Sequence, residues 1–487
     1  ALLLVGGQSD RISAPVRMNL VRAYCEFYNT MVEISFMDTN QIPGAGSRSY
    51  SPIDTSTKAS SKPVKMSVGS RRALIAAVSG TLIEWYDYAL YGAASGLVIA
   101  PLFFADVGAG ATLAAFATFA VGFIARPLGG VLVGHLGDRY GRRPAMLLTI
   151  IVMGLATVGI GLLPTAAAIG TLAPILLVLL RLLQGMGAGA ELSGAMTIVA
   201  EFAPPQRRGL LTSLVLATPP AGIALATVAF LIASSAGDEA LLAWAWRGPF
   251  LVSVVLFAVA IFIRRKLEET PEYLEAQSKA AERGEKQKTP IVLLLRHHQR
   301  PLIVGFLAMT GHNAINYGLA VFAISLMTSP EVGLGRAAAL TAVTIGSLVG
   351  VFTTPIGGWA ADRFGAGKTV AFGSVMGAIL AYPILMGLAS GNAWTGGLAV
   401  AAGYAFVIAF TSGGQGSFLA GLFPPRERFS GIALARELNG AIVAGFTPLI
   451  LTWLLGLQGT LLLPALYLSA CCILSIFAYA IAPRKIH

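Results

Sequence analysis

The chain has 487 residues, of which 55% are hydrophobic and only 12% charged, with a mean hydropathy of +0.74. Those proportions exclude an ordinary water-soluble domain and place the chain in a bilayer. Its formal net charge of +11 comes without a basic cluster on a soluble segment, which argues against nucleic-acid binding.

Residues 1–65 are polar and rich in Ser, Thr and Pro, with no Met at position 1 and no signal-peptide pattern. They are expected to be disordered or an over-extended reading frame, and Met66-Ser-Val-Gly-Ser-Arg71-Arg72 reads as a natural start. A membrane helix needs about 20 apolar residues to cross about 30 Å of hydrocarbon. Twelve such stretches follow, near 73–100, 111–134, 144–163, 171–199, 210–234, 244–264, 301–329, 336–360, 369–389, 393–421, 429–457 and 459–482. The alternating ten-residue segments of a β-barrel are missing. An all-α membrane protein of twelve helices is expected, with one six-helix bundle over 66–264, a linker over 265–300 and a second bundle over 301–487. Arg and Lys gather in every second loop (Arg139, Arg142, Arg143, Arg207, Arg208, the run from Arg264 to Arg300, Arg363, Lys368, Arg426, Arg428) and at both ends of the membrane portion. Short cytoplasmic loops retain positive charge, so both termini are expected in the cytoplasm.

Ionisable groups within these stretches each cost about 2.5–3.5 kcal/mol on insertion scales and mark function. They are Glu84, Asp87, Arg126, Arg181, Glu191, Arg436 and Glu437. In the first stretch Glu84 and Asp87 stand three apart and Tyr91 four further, on one helical face. Two carboxyls so close in a low dielectric resist ionising together, which suits one of them to carry a proton near neutral pH; the alternative is that arginines lock both in ion pairs. Trp85, Tyr86 and Tyr91 could add cation–π contacts to a positively charged ligand. The second stretch carries Arg126 and ends in a charged loop, Gly134-His-Leu-Gly-Asp138-Arg139-Tyr-Gly141-Arg142-Arg143. In the fourth, Glu191 follows Gly185-x-Gly187-x-Gly189, whose small residues permit close helix contact; a pairing near the cytoplasmic edge is the better reading of that acid. In the fifth, Pro219-Pro220 is expected to break the helix and reshape a cavity wall.

The second half repeats the first. Gly358-Trp-Ala-Ala-Asp362-Arg363-Phe-Gly365-Ala366-Gly-Lys368 returns 224 residues after Gly134, and Phe423-Pro424-Pro425-Arg426-Glu427-Arg428 answers Ala203-Pro204-Pro205-Gln-Arg207-Arg208. Two matched loops make a duplication, the construction of large transporters with a site near the bilayer midplane. The seventh stretch brings His312, Asn313, Asn316 and Tyr317, aligned in pairs at i, i+4 as a polar face for substrate hydrogen bonds. Arg436 and Glu437 are adjacent in the eleventh, about 100° apart around the helix, and so need separate partners. Cys25 and the adjacent Cys471-Cys472 give neither a disulfide framework nor a metal spacing. No nucleophile–base constellation points to an enzyme, and no cofactor is expected.

The loop from Gly134 to Arg143 resembles the signature of the major facilitator superfamily, and Arg181-Leu-Leu-Gln184-Gly185 is similar to its second motif. Glu84-Trp85-Tyr86-Asp87-Tyr88, Arg126-Pro127-Leu128-Gly129-Gly130 and Trp246-Arg247-Gly-Pro249-Phe250-Leu251 resemble its metabolite:proton symporters, which include shikimate, α-ketoglutarate, citrate and proline/betaine carriers. Thr112 to Glu191 looks nearest to the shikimate carriers. Thr81, Leu216, Thr218 and the two prolines depart from the subfamily pattern and weaken the transfer of a named substrate.

The resemblance implies alternating access, and a monomer is expected to be functional; Glu84 and Asp87 are read as the proton-coupling pair, with Arg181 either tuning that site or binding the anion. It also implies that the second and eleventh helices lie side by side, so Glu437 is expected to meet Arg126, either as a gating pair or as a static structural salt bridge, and Arg436 to face the cavity as a donor to a carboxylate. Tyr91, His312, Asn313, Asn316 and Tyr317 complete the substrate site. Gly134, Asp138, Arg139, Arg142 and Arg143, reaching Glu201 or Glu427, are expected to latch the cytoplasmic side, with Asp362 and Arg363 in the weaker copy. The expected function is proton-driven uptake of a small organic carboxylate; a zwitterion symporter of the proline/betaine kind, or a proton-coupled antiporter, is the alternative.

Overall fold

The computed structural model describes residues 68–140, 142–189, 191–265, 298–424 and 428–482. The expectations for residues 1–65, for most of the 265–300 linker and for Glu427 therefore lie outside the described residues. So do those that rest on the side chains of Asp138, Arg139, Arg142, Arg143, Glu191 and Glu201.

Every regular element described is helical, and twelve long segments follow one another. We label them α1 (68–103), α2 (Ala111–Tyr140), α3 (Arg142–Leu162), α4 (172–202), α5 (Arg208–Ser234), α6 (Arg247–Arg265), α7 (299–327), α8 (Arg336–Phe364), α9 (Ala366–Leu388), α10 (Ala393–Leu422), α11 (Arg428–Gln458) and α12 (Leu462–Ile481). Eight of the segments are long and apolar enough to cross a bilayer outright. α6 reaches that length only with the short helix before it, to which it is bent by 49°. α1 and α7 fall short because they carry the polar residues of the interior.

The packing is inverted relative to a soluble protein. Leu155, Val255 and Leu398 are more than 60% exposed, whereas Glu84, Asp87, Arg126 and Arg181 are buried. Within the first half α2 packs on α4 and α3 on α4 and α6; within the second α8 packs on α10 and α9 on α12. The halves meet through α5 against α8 and α10, α2 and α4 against α11, and α1 against α7.

Glycine sets the closest approaches. A Cβ at Gly185 would lie 2.0 Å from the Gly122 carbonyl oxygen, so only a glycine lets α4 touch α2 there; Gly357 on α8 meets the Ala409 carbonyl of α10 in the same way at 1.9 Å. Pro127 in α2 stands two residues before Gly129, where a Cβ would lie 2.1 Å from the Met186 carbonyl oxygen of α4, as Pro355 in α8 stands two before Gly357, a further trace of duplication.

α5 does break, between Leu216 and Thr218, with Pro219 and Pro220 opening its second piece. The prolines are buried beside α8, where a Cβ at Gly350 would stand 3.1 Å from the Cβ of Pro220. They are not among the residues that line the central cavity. The expectation of a reshaped cavity wall thus gives way to an inter-half packing role.

Candidate substrate and proton site

Three arginines organise the interior, Arg126 and Arg181 buried and Arg436 half-buried, each treated differently. Arg126 on α2 places its guanidinium 2.7 Å from Glu84 on α1 and 3.0 Å from Glu437 on α11, and donates a hydrogen bond to the Ala188 carbonyl at 3.1 Å. A single cation thereby holds two carboxylates and ties the halves together. Its guanidinium also lies 4.6 Å from the Tyr88 ring centre. Glu84 and Asp87, expected to act on one another, are in fact partitioned: Glu84 faces Arg126, and Asp87 turns to α3 and α4.

Asp87 is fully buried. Its Oδ2 accepts hydrogen bonds from the Thr157 hydroxyl and the Gln184 amide, both at 2.6 Å. Arg181 does not pair with it directly, because Gln184 stands between them and accepts from Arg181 through its Oε1. The Arg181 guanidinium sits 3.9 Å over the Tyr91 ring and donates to the Phe119 carbonyl at 3.2 Å. Among the described residues no carboxylate lies within ion-pair distance of Arg181, so cation–π contact substitutes for a counter-ion. Tyr91, assigned from sequence to the substrate, is instead a platform for Arg181. Two positions in this relay, Thr157 and Gln184, carried no role in the sequence reading; the i, i+3 spacing of Arg181 and Gln184 was the available signal.

The third arginine faces a central cavity of about 20 Å³, lined by Trp85, Phe123, Arg126, Met309, Asn313, Tyr317, Arg436, Glu437, Gly440 and Ala444. That volume admits on the order of one water molecule, too little for an organic substrate. Arg436 donates to Gln415 Oε1 at 2.6 Å and has no carboxylate partner among the described residues. Asn313 donates to Asn439 at 2.6 Å, and Asn439 in turn donates to the Phe306 carbonyl and to Thr310. Tyr317 packs edge-on to Phe123, with ring centres 5.2 Å apart, and 6.3 Å from Trp85. A π-helical turn, Gly440–Ala444, begins three residues after Glu437 and lines the cavity through Gly440 and Ala444.

Of the α7 residues expected at the substrate, Asn313 and Tyr317 line the cavity. His312 and Asn316 do not: Nδ1 of His312 pairs with the Thr411 hydroxyl of α10 at 2.9 Å, and Asn316 is buried on the same side of α7. The i, i+4 pairing was legible in sequence, but which pair faced inward depended on the packing of α10. Gln415, Asn439 and Met309 went unnoticed, although a lone Gln in the run Gly413-Gly414-Gln415-Gly416 was a visible anomaly.

Contacts between the halves close both ends. On the face of the charged loops, Asp362 accepts from the backbone amides of Gly209 at 2.6 Å and Leu210 at 2.8 Å, capping the start of α5. The carboxylate is favoured there by the unsatisfied amides and the helix dipole. The loop copy that lost an arginine thus makes the described contact, and its Arg363 is exposed beside the Trp359 and Phe364 rings. On the opposite face Thr227 and Thr344 hydroxyls meet at 2.7 Å, and Arg336 pairs with Asp238 at 2.8 Å. That ion pair is largely exposed on the Asp side and contributes at most about 1 kcal/mol.

Replacing Asp362 by Ala removes both amide acceptors from α5, a loss of about 0.5–2 kcal/mol for a helix cap. The expected result is a longer distance between spin labels at the adjoining ends of α5 and α8. An unchanged distance distribution would remove Asp362 from the contacts that hold this face closed.

Residues 78–448 match the model of the Major Facilitator Superfamily. The chain is 35% identical over 416 residues to the shikimate transporter of Escherichia coli, covering 83% of this chain and 93% of that protein. It is also 35% identical over 421 residues to the glycine betaine/proline/ectoine/pipecolic acid transporter OusA of Dickeya dadantii, covering 83% of this chain and 82% of that protein. A crystal structure of a D-xylose–proton symporter superposes with a TM-score of 0.67 at 18% identity, covering 85% of this chain and 98% of that one, which establishes a shared fold.

Proposed function

The chain belongs to the Major Facilitator Superfamily, and from that premise we propose that it takes up a small organic carboxylate together with a proton, by alternating access. It is a multi-pass membrane transporter, not an enzyme. The observation that carries the substrate reading is Arg436: it faces the cavity, and its only hydrogen-bond acceptor among the described residues is the neutral Gln415. A guanidinium so placed presents a planar pair of donors that matches a carboxylate.

Proton coupling is assigned to Asp87. Its partners Thr157 and Gln184 are neutral, which lets the carboxyl gain and lose a proton without breaking an ion pair. Arg181 reads that charge through Gln184. The Arg126–Glu437 pair and the Asp362 cap act as inter-half contacts that must part for the cavity to open. By the positive-inside distribution the charged-loop face and both termini are cytoplasmic, and the monomer is the working unit. The latch residues Gly134, Asp138, Arg139, Arg142 and Arg143 belong to the same face.

Trp85, Phe123 and Tyr317 around the cavity, with Glu437 at its edge, favour a second reading in which the carboxylate ligand also bears a quaternary or secondary ammonium. Uptake into proteoliposomes decides: accumulation under an acidic exterior is expected for symport, and expulsion under the same gradient would convert the proposal to antiport.

A further inference from the structure

We infer that the ligand carries a single carboxylate, and that Gln415 is the residue that sets this limit. The inference rests on the reading of Arg436 as the carboxylate donor. Among the described residues the charged groups that line the cavity are Arg126, Arg436 and Glu437; Glu84 pairs with Arg126, and His312 is held by Thr411. The two arginines and two carboxylates balance in formal charge, but they do not pair evenly. Arg126 contacts both carboxylates and Arg436 neither. Among the described residues one pole of the cavity therefore holds a cation with no ion-pair contact, and the other holds two carboxylates in contact with one arginine. A first carboxylate is drawn to Arg436. A second would be left facing Glu437 without a cation of its own, and like charges in a site of low dielectric are strongly unfavourable.

Gln415 maintains this asymmetry. It is 4% exposed, on a part of α10 wedged among three helices. A Cβ at Gly413 would meet the Gly357 backbone of α8 at 2.3 Å, one at Gly414 the Ala366 carbonyl of α9 at 2.9 Å, and one at Gly416 the Thr212 side chain of α5 at 2.7 Å. The three glycines pin the backbone, and the amide of the one residue with a longer side chain accepts from Arg436 at 2.6 Å. An amide oxygen orients the guanidinium without neutralising it. A glutamate of the same length would complete an ion pair and occupy the charge that the ligand needs.

Two measurements on the full-length protein in proteoliposomes test this. Uptake driven by an acidic exterior is compared for shikimate, benzoate, proline and betaine, each with one carboxylate, and for α-ketoglutarate and citrate, with two and three. Uptake confined to the first group is the expected result. Uptake of α-ketoglutarate or citrate would overturn the single-carboxylate inference while leaving the carboxylate reading intact, and no uptake of any of the six would overturn both. Gln415→Glu is expected to raise KM for the transported compound about tenfold or more, with kcat changed far less. Unchanged KM would remove Gln415 as the positioning residue, and the wild-type panel stands whether or not that variant folds.

Discussion

Asp87→Asn should abolish accumulation driven by a pH gradient while leaving exchange of labelled for unlabelled substrate across the membrane intact. An asparagine can keep its oxygen where Oδ2 accepts from Thr157 and Gln184 at 2.6 Å, so the local packing survives. What disappears is the capacity to alternate between a charged and a neutral state. A carrier fixed in one of those states still cycles with substrate on both sides but has no proton to move with it, and its steady-state gradient falls to equilibrium. Measuring accumulation and counterflow on the same vesicles separates the two. Loss of both would make Asp87 a structural residue, and retention of both would move the proton elsewhere.

Arg126→Met carries the second large effect. Glu84 at 2.7 Å and Glu437 at 3.0 Å would be left buried against one another's field without their shared cation. Removing one partner of a buried ion pair typically destabilises by about 3–5 kcal/mol. Thermal unfolding in detergent should show a marked fall for the single variant. Most of it should return when Glu84→Gln and Glu437→Gln are added, since the neutral triple variant no longer contains an uncompensated charge. Non-additivity between Arg126 and Glu437 well above about 0.5 kcal/mol is expected from residues in contact. Additive effects would show that the two sit together in the fold without depending on each other.

The membrane class, the twelve helices and the duplication were legible because they depend on local quantities: apolar length, loop charge and repeated spacing. The Arg126–Glu437 contact could be anticipated because it follows from the placement of whole helices. Other features depended on which neighbour a side chain finds, and sequence spacing does not carry that. Glu84 and Asp87 share a helical face, yet one finds Arg126 and the other Thr157 and Gln184 on different helices. Tyr91 was an aromatic in the right place for a ligand, but Arg181 lies 3.9 Å over its ring. His312 and Asn313 are consecutive on α7, so only one of them could face the cavity. The second charged loop was legible only in part, for a related reason. Losing an arginine weakens a loop as a set of charges, but Asp362 acts through two backbone amides of α5 that no composition reveals.

Binding of the transported carboxylate to wild-type protein and to Arg436→Met, measured by titration calorimetry in detergent, probes the role of the cavity arginine most directly. Removal of a charged donor that has no other carboxylate to serve should weaken affinity at least about tenfold, the loss expected for one hydrogen bond to a charged group. The melting temperature should stay close to wild type, because no buried anion loses its partner. Undiminished affinity in Arg436→Met would contradict the assignment of the carboxylate site.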